Sequence, residues 1–142
     1  MANFFQVHAS PERSFVCVDL PGYGFNKVAN DVRQEWDTLV KKYLERPAIK
    51  NLLFLMDVRR QLDEQEITFL RSLRPEHHLM LVVTKCDKVN QQERSVCELA
   101  LKKIIDTENL PVSAIHCVSS LKKTGIDQLR TLLFCRPGGW LA

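Results

Sequence analysis

The stretch LMLVVTKCD, residues 79–87, decides the fold of this chain. An apolar run covers residues 79–83, and the polar residues Thr84, Lys85 and Asp87 follow it directly. A continuous apolar run of this length is typical of a parallel strand that is covered on both faces. In open α/β sheets, ligands bind beyond the carboxyl ends of such strands. The stretch therefore predicts a buried strand that leads into a functional loop.

Three further apolar runs have the same form: residues 15–18, 52–56 and 114–118. Polar residues end each of them: Asp19, Asp57 and the pair Ser119-Ser120. Apolar residues at helical spacing fill the intervals between and after the runs: Val32, Trp36, Leu39, Val40, Tyr43 and Leu44; Ile67, Leu70 and Leu73; Val96, Leu99, Ala100 and Ile104; Ile126, Leu129, Leu132 and Leu133. Alternation of strands and helices predicts an α/β domain with a mostly parallel sheet and flanking helices. We expect the polar strand ends to lie at one edge of that sheet.

The length of 142 residues suits a single domain, residues 1–142, with residues 136–142 as a loose tail. The net charge is +3, from 20 Lys and Arg against 17 Asp and Glu. A balance this mild is not typical of a dedicated nucleic-acid binder, so we expect no reading of DNA sequence. The five cysteines form no C-x-x-C pair, and their number is odd, which indicates neither a zinc site nor a disulfide framework. With no leader-like or membrane-spanning apolar run in this sequence, we expect a cytoplasmic location.

The first candidate motif is Asp19-Leu20-Pro21-Gly22, after the first run. A carboxylate at a strand end can hold Mg²⁺ through a water molecule, and a glycine lets its backbone N–H come close to a phosphate. Asp19 is thus a candidate magnesium residue, and Gly22 a candidate phosphate-binding residue. The alternative is an ordinary Pro-Gly turn after a strand.

The second motif is Thr84-Lys85-Cys86-Asp87. In this arrangement the Asp87 carboxylate can accept hydrogen bonds from the N1–H and the 2-amino group of guanine, a pair of donors that adenine lacks. The Lys85 stem would pack on the base while its ammonium stays in water, and Thr84 would hydrogen-bond within the loop. The alternative is a helix start with Asp87 as its N-cap.

The third motif is Ser119-Ser120, where a tight turn could offer the Ser120 N–H to the guanine O6. Read alone, it could equally be an ordinary serine-rich loop. One guanine nucleotide, however, accounts for all three motifs in their order along the chain. We therefore expect a protein that binds GTP or GDP.

The chain resembles the EngB/YihA family of Ras-like bacterial GTP-binding proteins. The strings that carry the resemblance are Asn3-Phe4-Phe5, residues 18–25 (VDLPGYGF), residues 84–88 (TKCDK) and residues 119–127 (SSLKKTGID). The resemblance implies a Ras-like P-loop NTPase fold, GTP or GDP with Mg²⁺ as ligands, and a role in large ribosomal subunit assembly and in normal cell division and septation. The large subunit or its rRNA is the implied partner. The implied nucleotide-binding residues are Asp19, Gly22, Thr84, Lys85, Asp87, Ser119 and Ser120.

The sequence departs from the family because it contains no G-x-x-x-x-G-K-[ST] motif, the loop that cradles the β- and γ-phosphates. We expect the chain to lack the family's first strand, P-loop and first helix, with a gap between the strands that end at Asp19 and Asp57. Tyr23 also stands where Ras-type enzymes place a water-orienting glutamine. We thus assign no catalytic residue and expect weak nucleotide binding and negligible hydrolysis, although the resemblance is to GTPases.

Two alternatives remain open. The chain could be a non-enzymatic module that contacts the ribosome or RNA and has no nucleotide role. It could also be a fragment from a misplaced start codon, in which case the upstream reading frame would encode the missing motif.

Overall fold

The computed structural model describes residues 2–11, 13–20 and 38–134, and the chain divides into two compact units, Met1–Ile49 and Lys50–Ala142. Among the described residues each unit has its own sheet. The motif residue Gly22, the predicted tail 136–142 and residues 32–37 of the predicted helix that ends near Leu44 lie outside the described residues. The prediction of a single domain therefore stays a prediction.

The first unit contains a β-hairpin. Strand β1, Asn3–Ser10, pairs antiparallel with β2, Arg13–Asp19, in a register that sets Asn3 opposite Asp19. A strand at residues 15–18 is confirmed within β2, but the prediction that it is parallel and covered on both faces is wrong, because it pairs antiparallel with β1 and its Val16 is 61% exposed. Strand β1 was not predicted. A connection of two residues can join only antiparallel strands, which explains the direction of this pairing. The two strands form a sheet of their own. The expectation that Asp19 shares the edge of the later strands stays a prediction.

A helical stretch, residues 38–44, follows in the same unit. Its Val40 and Leu44 are buried. The rings of Phe4 on β1 and Tyr43 on this stretch meet edge to face, with centroids 6.3 Å apart. The Arg46 guanidinium lies over the Tyr43 ring, 4.8 Å from its centroid. Aromatic contacts thus tie the hairpin to the helical stretch.

The second unit is the α/β part of the molecule. Its strands β3, Asn51–Asp57, β4, His78–Thr84, and β5, Val112–Cys117, form a parallel sheet in the order β3-β4-β5. The helices are α1, Glu64–Arg71, α2, Gln91–Glu108, and α3, Ile126–Phe134. The three predicted parallel strands and the flanking helices are confirmed.

Central strand β4 is covered on both faces, as its apolar run predicts. Leu79, Leu81 and Val83 join one buried cluster, and Met80 and Val82 join the other. The first cluster also holds residues from β3, α1 and α2, and the second is covered by residues of α3: Met56, Leu70 and Leu101; Ile126, Leu129 and Leu132. On outer strand β3, by contrast, Leu53 and Leu55 remain exposed. The sheet is therefore best packed at β4, the strand that leads into the T-K-C-D motif.

The buried face of α2 differs from the prediction. Val96 and Leu99 are 61% and 66% exposed. Ile104 of the predicted set does pack against the core, but the rest of that face is formed by Cys97, Leu101 and Ile105. Both sets satisfy a helical period, and only the position of the sheet decides between them. The helix begins with a capping box between Asn90 and Glu93 and ends at Asn109, whose φ is +50°.

None of the helices in the described part of the chain combines the length and the apolar character of a membrane span.

Gly125 connects the loop after β5 to α3 through a constrained position. Its φ is +73°, and a Cβ atom there would lie 2.2 Å from the Cys117 carbonyl oxygen. The Gly125 carbonyl in turn lies 2.8 Å from Nε2 of His116. Both the conformation and the lack of space require glycine.

We predict that Gly125→Ala lowers the free energy of unfolding by about 3 kcal/mol, because the backbone must shift to relieve the contact with Cys117. Urea denaturation followed by circular dichroism measures the change. Lys123→Gly is the matched control, since Lys123 already has a φ of +55° that glycine adopts without strain, and we expect a change within about 1 kcal/mol. Equal midpoints for Gly125→Ala and the parent chain would contradict the steric interpretation.

Candidate functional site

Thr84 ends β4 and joins it to β3. Its Oγ1 donates to the Met56 carbonyl at 3.0 Å, and its own carbonyl accepts from the Val58 N–H at 3.0 Å. The sequence motif predicted that this hydroxyl bonds within the loop. That prediction is wrong, because the hydroxyl bonds to the neighbouring strand β3. Thr84 fixes the position at which the loop leaves the sheet.

The loop then turns sharply at Lys85, whose φ is +58°, and continues as a short 3₁₀-helix, Cys86–Lys88. The Cys86 N–H donates to the Val118 carbonyl at 3.1 Å. Its buried thiol donates to the Val83 carbonyl at 3.3 Å. The variable position of the T-K-x-D motif therefore anchors the loop to the ends of β4 and β5.

Asp87 is held by Ser119. The Ser119 hydroxyl donates to Oδ1 of Asp87 at 2.5 Å, and its oxygen accepts from the Lys122 N–H at 3.1 Å. The bond from the Ser119 hydroxyl, together with the charges of Lys88 and Lys122, keeps the pKa of Asp87 below its usual range. The second carboxylate oxygen, Oδ2, has the Lys88 ammonium at 3.8 Å. Asp87 is thus an ionised, oriented hydrogen-bond acceptor.

Access to this carboxylate is narrow, because the Asp87 side chain is 5% exposed. Lys88 is 51% exposed, and its ammonium lies 3.8 Å from Oδ2, an ion-pair distance that is too long for a hydrogen bond. The alternative role of Asp87 as a helix N-cap is wrong, since α2 begins at Gln91 and its N-cap is Asn90.

The serine pair of the third motif lies in the loop that follows β5, as predicted. Ser119 is fully buried, and its N–H donates to the Thr124 carbonyl at 2.9 Å, which closes a turn. Ser120 lies in that turn and is exposed. The tight turn is present, and the role of the Ser120 N–H stays a prediction.

Asp57, at the end of β3, also lies at the carboxyl edge of the sheet. The sequence motifs assigned it no functional role. Its Oδ1 accepts from the Arg59 N–H at 3.0 Å and from Arg59 Nε at 2.9 Å, and its Oδ2 accepts from Arg59 Nη2 at 2.7 Å. The Lys85 ammonium also contacts Oδ2, at 3.2 Å, although the Lys85 side chain is 60% exposed. These donors hold the pKa of Asp57 far below its usual range, and the Arg59 side-chain bond has the largest effect. The pairing of Asp57 with Thr84 in the ladder is the signal that places it beside Lys85.

The structure brings together Thr84, Lys85, Asp87 and Ser119 in the second unit. Asp19 belongs to the first unit, where its exposed carboxylate accepts from Asn3 Nδ2 at 3.4 Å. An exposed carboxylate at a strand end fits a water-mediated contact to Mg²⁺, but one carboxylate does not make a metal site. In residues 2–11, 13–20 and 38–134, no cluster of His, Cys, Asp and Glu side chains is arranged to hold a metal.

A cavity of about 360 Å³ lies away from these motifs. It is lined by Arg94, Glu98, Ile115, His116, Cys117, Gly125 and Gln128. The Cys117 thiol donates to Glu98 at 3.1 Å, and burial with this carboxylate contact raises its pKa to about 12. Arg94 pairs with the same Glu98 oxygen at 3.0 Å. The polar groups of this cavity thus bond to each other, so the motif loops remain the better candidate for a ligand.

Solved structures of similar fold include two elongation factors. The elongation factor SelB from Methanococcus maripaludis, in complex with the GTP analogue GppNHp, matches with a TM-score of 0.66 at 20% identity, over 93% of this chain and 27% of that protein. A bacterial selenocysteine-specific elongation factor matches with a TM-score of 0.63 at 20% identity, over 92% of this chain and 21% of that protein. These likenesses show the fold, a GTPase-type G domain. No family model matches the chain.

Curated relatives are more similar in sequence. The probable GTP-binding protein EngB of Protochlamydia amoebophila (strain UWE25) is 46% identical over 110 residues, which are 76% of this chain and 50% of that protein. The probable GTP-binding protein EngB of Mycoplasmopsis pulmonis (strain UAB CTIP) is 34% identical over 135 residues, 94% of this chain and 68% of that protein. The chain thus spans about half to two thirds of the length of these relatives. With this identity over most of its length and with the G-domain fold, the chain belongs to the EngB family of GTP-binding proteins.

Proposed function

We propose that the loops after β4 and β5 form the guanine-binding half of a site for GTP or GDP. The observation that carries this proposal is the bond from the buried Ser119 hydroxyl to Oδ1 of Asp87 at 2.5 Å. It holds an ionised carboxylate at the position where the T-K-x-D motif requires an acceptor. The EngB relatives, which are named as probable GTP-binding proteins, support the same ligand.

Selection of guanine follows from the hydrogen-bonding capacity of these groups. An ionised carboxylate only accepts, so Asp87 matches the N1–H and 2-amino donors of guanine and leaves adenine without an equivalent pair. The backbone N–H of Ser120 would complete recognition at O6. The Lys85 stem would cover one face of the base, with its ammonium held by Asp57 rather than free in water.

For Mg²⁺ and phosphate, the residues that we propose are the ones that the sequence motif indicates, Asp19 and Gly22. Asp19 would contact Mg²⁺ through water, and Gly22 would donate its N–H to a phosphate. When bound, the metal would supply positive charge against the phosphates. Because the sequence contains no G-x-x-x-x-G-K-[ST] motif, we expect the chain to bind nucleotide weakly and to hydrolyse GTP negligibly.

The wider role that we propose is the one that the family resemblance implies: assembly of the large ribosomal subunit in the cytoplasm, and with it normal division and septation. The contact would be with the large subunit or its rRNA. The competing proposal is a module that makes this contact without any nucleotide role.

The first prediction concerns ligand choice. Titration of the ¹⁵N-labelled chain with GDP should shift the amide signals of Lys85, Asp87 and Ser120, with a dissociation constant of about 1 mM. ADP should leave them in place, because adenine lacks the donor pair that Asp87 matches. Phosphate release from GTP should not exceed that of buffer. Binding at micromolar concentrations would contradict the expected weakness, and equal shifts with ADP would contradict guanine selection.

The second prediction changes the acceptor itself. In Asp87→Asn the side chain gains an amide donor, which suits the C2 carbonyl of xanthine and opposes the 2-amino group of guanine. We expect GDP to bind about tenfold more weakly and xanthosine diphosphate about tenfold more tightly, a difference of about 1.4 kcal/mol each. Asp106→Asn makes the same change on an exposed part of α2 and should alter neither affinity. A parallel loss of both ligands would indicate that Asp87 has no direct contact with the base.

The third prediction separates the nucleotide-binding protein from the interaction module. Co-sedimentation of the chain with large ribosomal subunits should depend on added GDP or GTP, and Asp87→Asn should remove that dependence. Asp106→Asn should retain it. Binding that is salt-dependent but identical with and without nucleotide, in all three proteins, would favour the module instead.

A further inference from the structure

The edge formed by the ends of β3, β4 and β5 carries more positive than negative side chains. Its carboxylates are Asp57 and Asp87, and the cations near them are Arg59, Lys85, Lys88 and Lys122. Any of these cations could in principle neutralise Asp87. How they are divided between the two carboxylates therefore decides whether Asp87 can serve a ligand.

More of these cations pair with Asp57 than with Asp87. Asp57 accepts three hydrogen bonds from Arg59 and contacts the Lys85 ammonium at 3.2 Å, with a side chain that is 15% exposed. Asp87 contacts one ammonium, that of Lys88, at 3.8 Å. The carboxylate without a predicted ligand thus holds two cations tightly, while the carboxylate of the binding motif is held mainly by a neutral hydroxyl.

We propose that Asp57 is a positioning residue for guanine recognition, because it draws Lys85 and Arg59 away from Asp87 and so leaves the Asp87 carboxylate available to the base. The inference rests on the proposed guanine site. It goes beyond that site by giving a role to two residues, Asp57 and Arg59, that lie outside the recognition motifs.

The backbone makes this arrangement possible. In the parallel ladder Asp57 pairs with Thr84, so the residue after Thr84 starts beside the Asp57 carboxylate. Lys85 is also only two positions before Asp87, and its side chain is 60% exposed, so no packing would hold it in place if the Asp57 charge were lost. The charge of Arg59 likewise lies within electrostatic range of Asp87. Without the Asp57 charge, we expect the Lys85 ammonium to turn toward Asp87, the carboxylate two residues along the chain that guanine needs.

The test uses Asp57→Asn, alone and together with Lys85→Met, in GDP titrations of the whole chain. Asparagine keeps an oxygen for Arg59 but loses the charge that holds Lys85, and methionine keeps an apolar stem without an ammonium. We expect Asp57→Asn to weaken GDP binding about fivefold when Lys85 is present. In the Lys85→Met background the same change should cost less than about twofold. Raising KCl from about 0.05 M to about 0.5 M should shrink the fivefold loss, because salt screens the attraction of Lys85 to Asp87.

Glu108→Gln is the matched control. It also removes one carboxylate that pairs with an arginine, Arg71, but at the last residue of α2 rather than in the motif loops. We expect its GDP affinity to equal that of the parent chain. Thermal melts of all variants check that each is folded.

A second measurement needs no nucleotide. The Asp87 carboxyl carbon, followed by ¹³C NMR against pH, should titrate at a lower pH in Asp57→Asn than in the parent, because a closer ammonium lowers the pKa of a carboxyl group. It should return to the parent value in Asp57→Asn/Lys85→Met. An unchanged Asp87 titration, or an equal GDP loss with and without Lys85, would overturn the role of Asp57. Absence of any preference for GDP over ADP, with the shifted titration present, would instead overturn the proposed site and leave the charge division intact.

Discussion

The hydrogen bond from Ser119 to Asp87 is the interaction on which the rest of the candidate site depends. It joins the loop after β4 to the loop after β5 and orients the carboxylate through one oxygen, which keeps acceptor positions on both oxygens for a ligand. A buried hydroxyl can do this without neutralising the carboxylate, whereas a lysine in the same place would compete with a base. Ser119 is itself fixed by its N–H bond to Thr124 and by the Lys122 N–H. Asp87 therefore owes its orientation to a turn that is thirty-odd residues away in sequence.

The sheet makes that long-range contact reliable. Val118 donates to the Val83 carbonyl at 2.8 Å and accepts from the Cys86 N–H at 3.1 Å, so the backbone beyond β5 is locked to both sides of the T-K-C-D turn. Strand β4 lies between two apolar clusters and cannot slide without exposing one of them. The spacing of Asp87 and Ser119 thus depends on the burial of residues 79–83. Because the loop after β4 is bonded to this buried strand and to the end of β5, its position is fixed by the core.

Strands β3, β4 and β5 and the composition of the site loops could be predicted from the sequence, because continuous apolar runs have few alternatives in an α/β chain. Strand β1 could not, since NFFQVHAS mixes polar and apolar residues, and its pairing depends on the neighbouring β2. The face of α2 was wrong because Val96 and Leu99 satisfy the same period as Cys97 and Leu101. The role of Asp57 was missed because it depends on strand register, which no local pattern encodes.

The order of groups along the sheet edge explains why this register matters for recognition. From β3 to β5 the edge runs Asp57, Lys85, Asp87 and Ser119, an alternation of carboxylate, ammonium, carboxylate and hydroxyl. Lys85 thus follows one carboxylate and precedes another in this order, and its ammonium contacts the first of them, Asp57. Asp57 holds the Lys85 ammonium at 3.2 Å, and its own carboxylate is kept in position by Arg59, which bonds to both of its oxygens. A one-residue shift of β3 against β4 would point Asp57 to the other face and leave Lys85 to Asp87. The register of β3 against β4 thus decides whether Lys85 pairs with Asp57 or with Asp87, and with it whether the Asp87 carboxylate is open to a ligand.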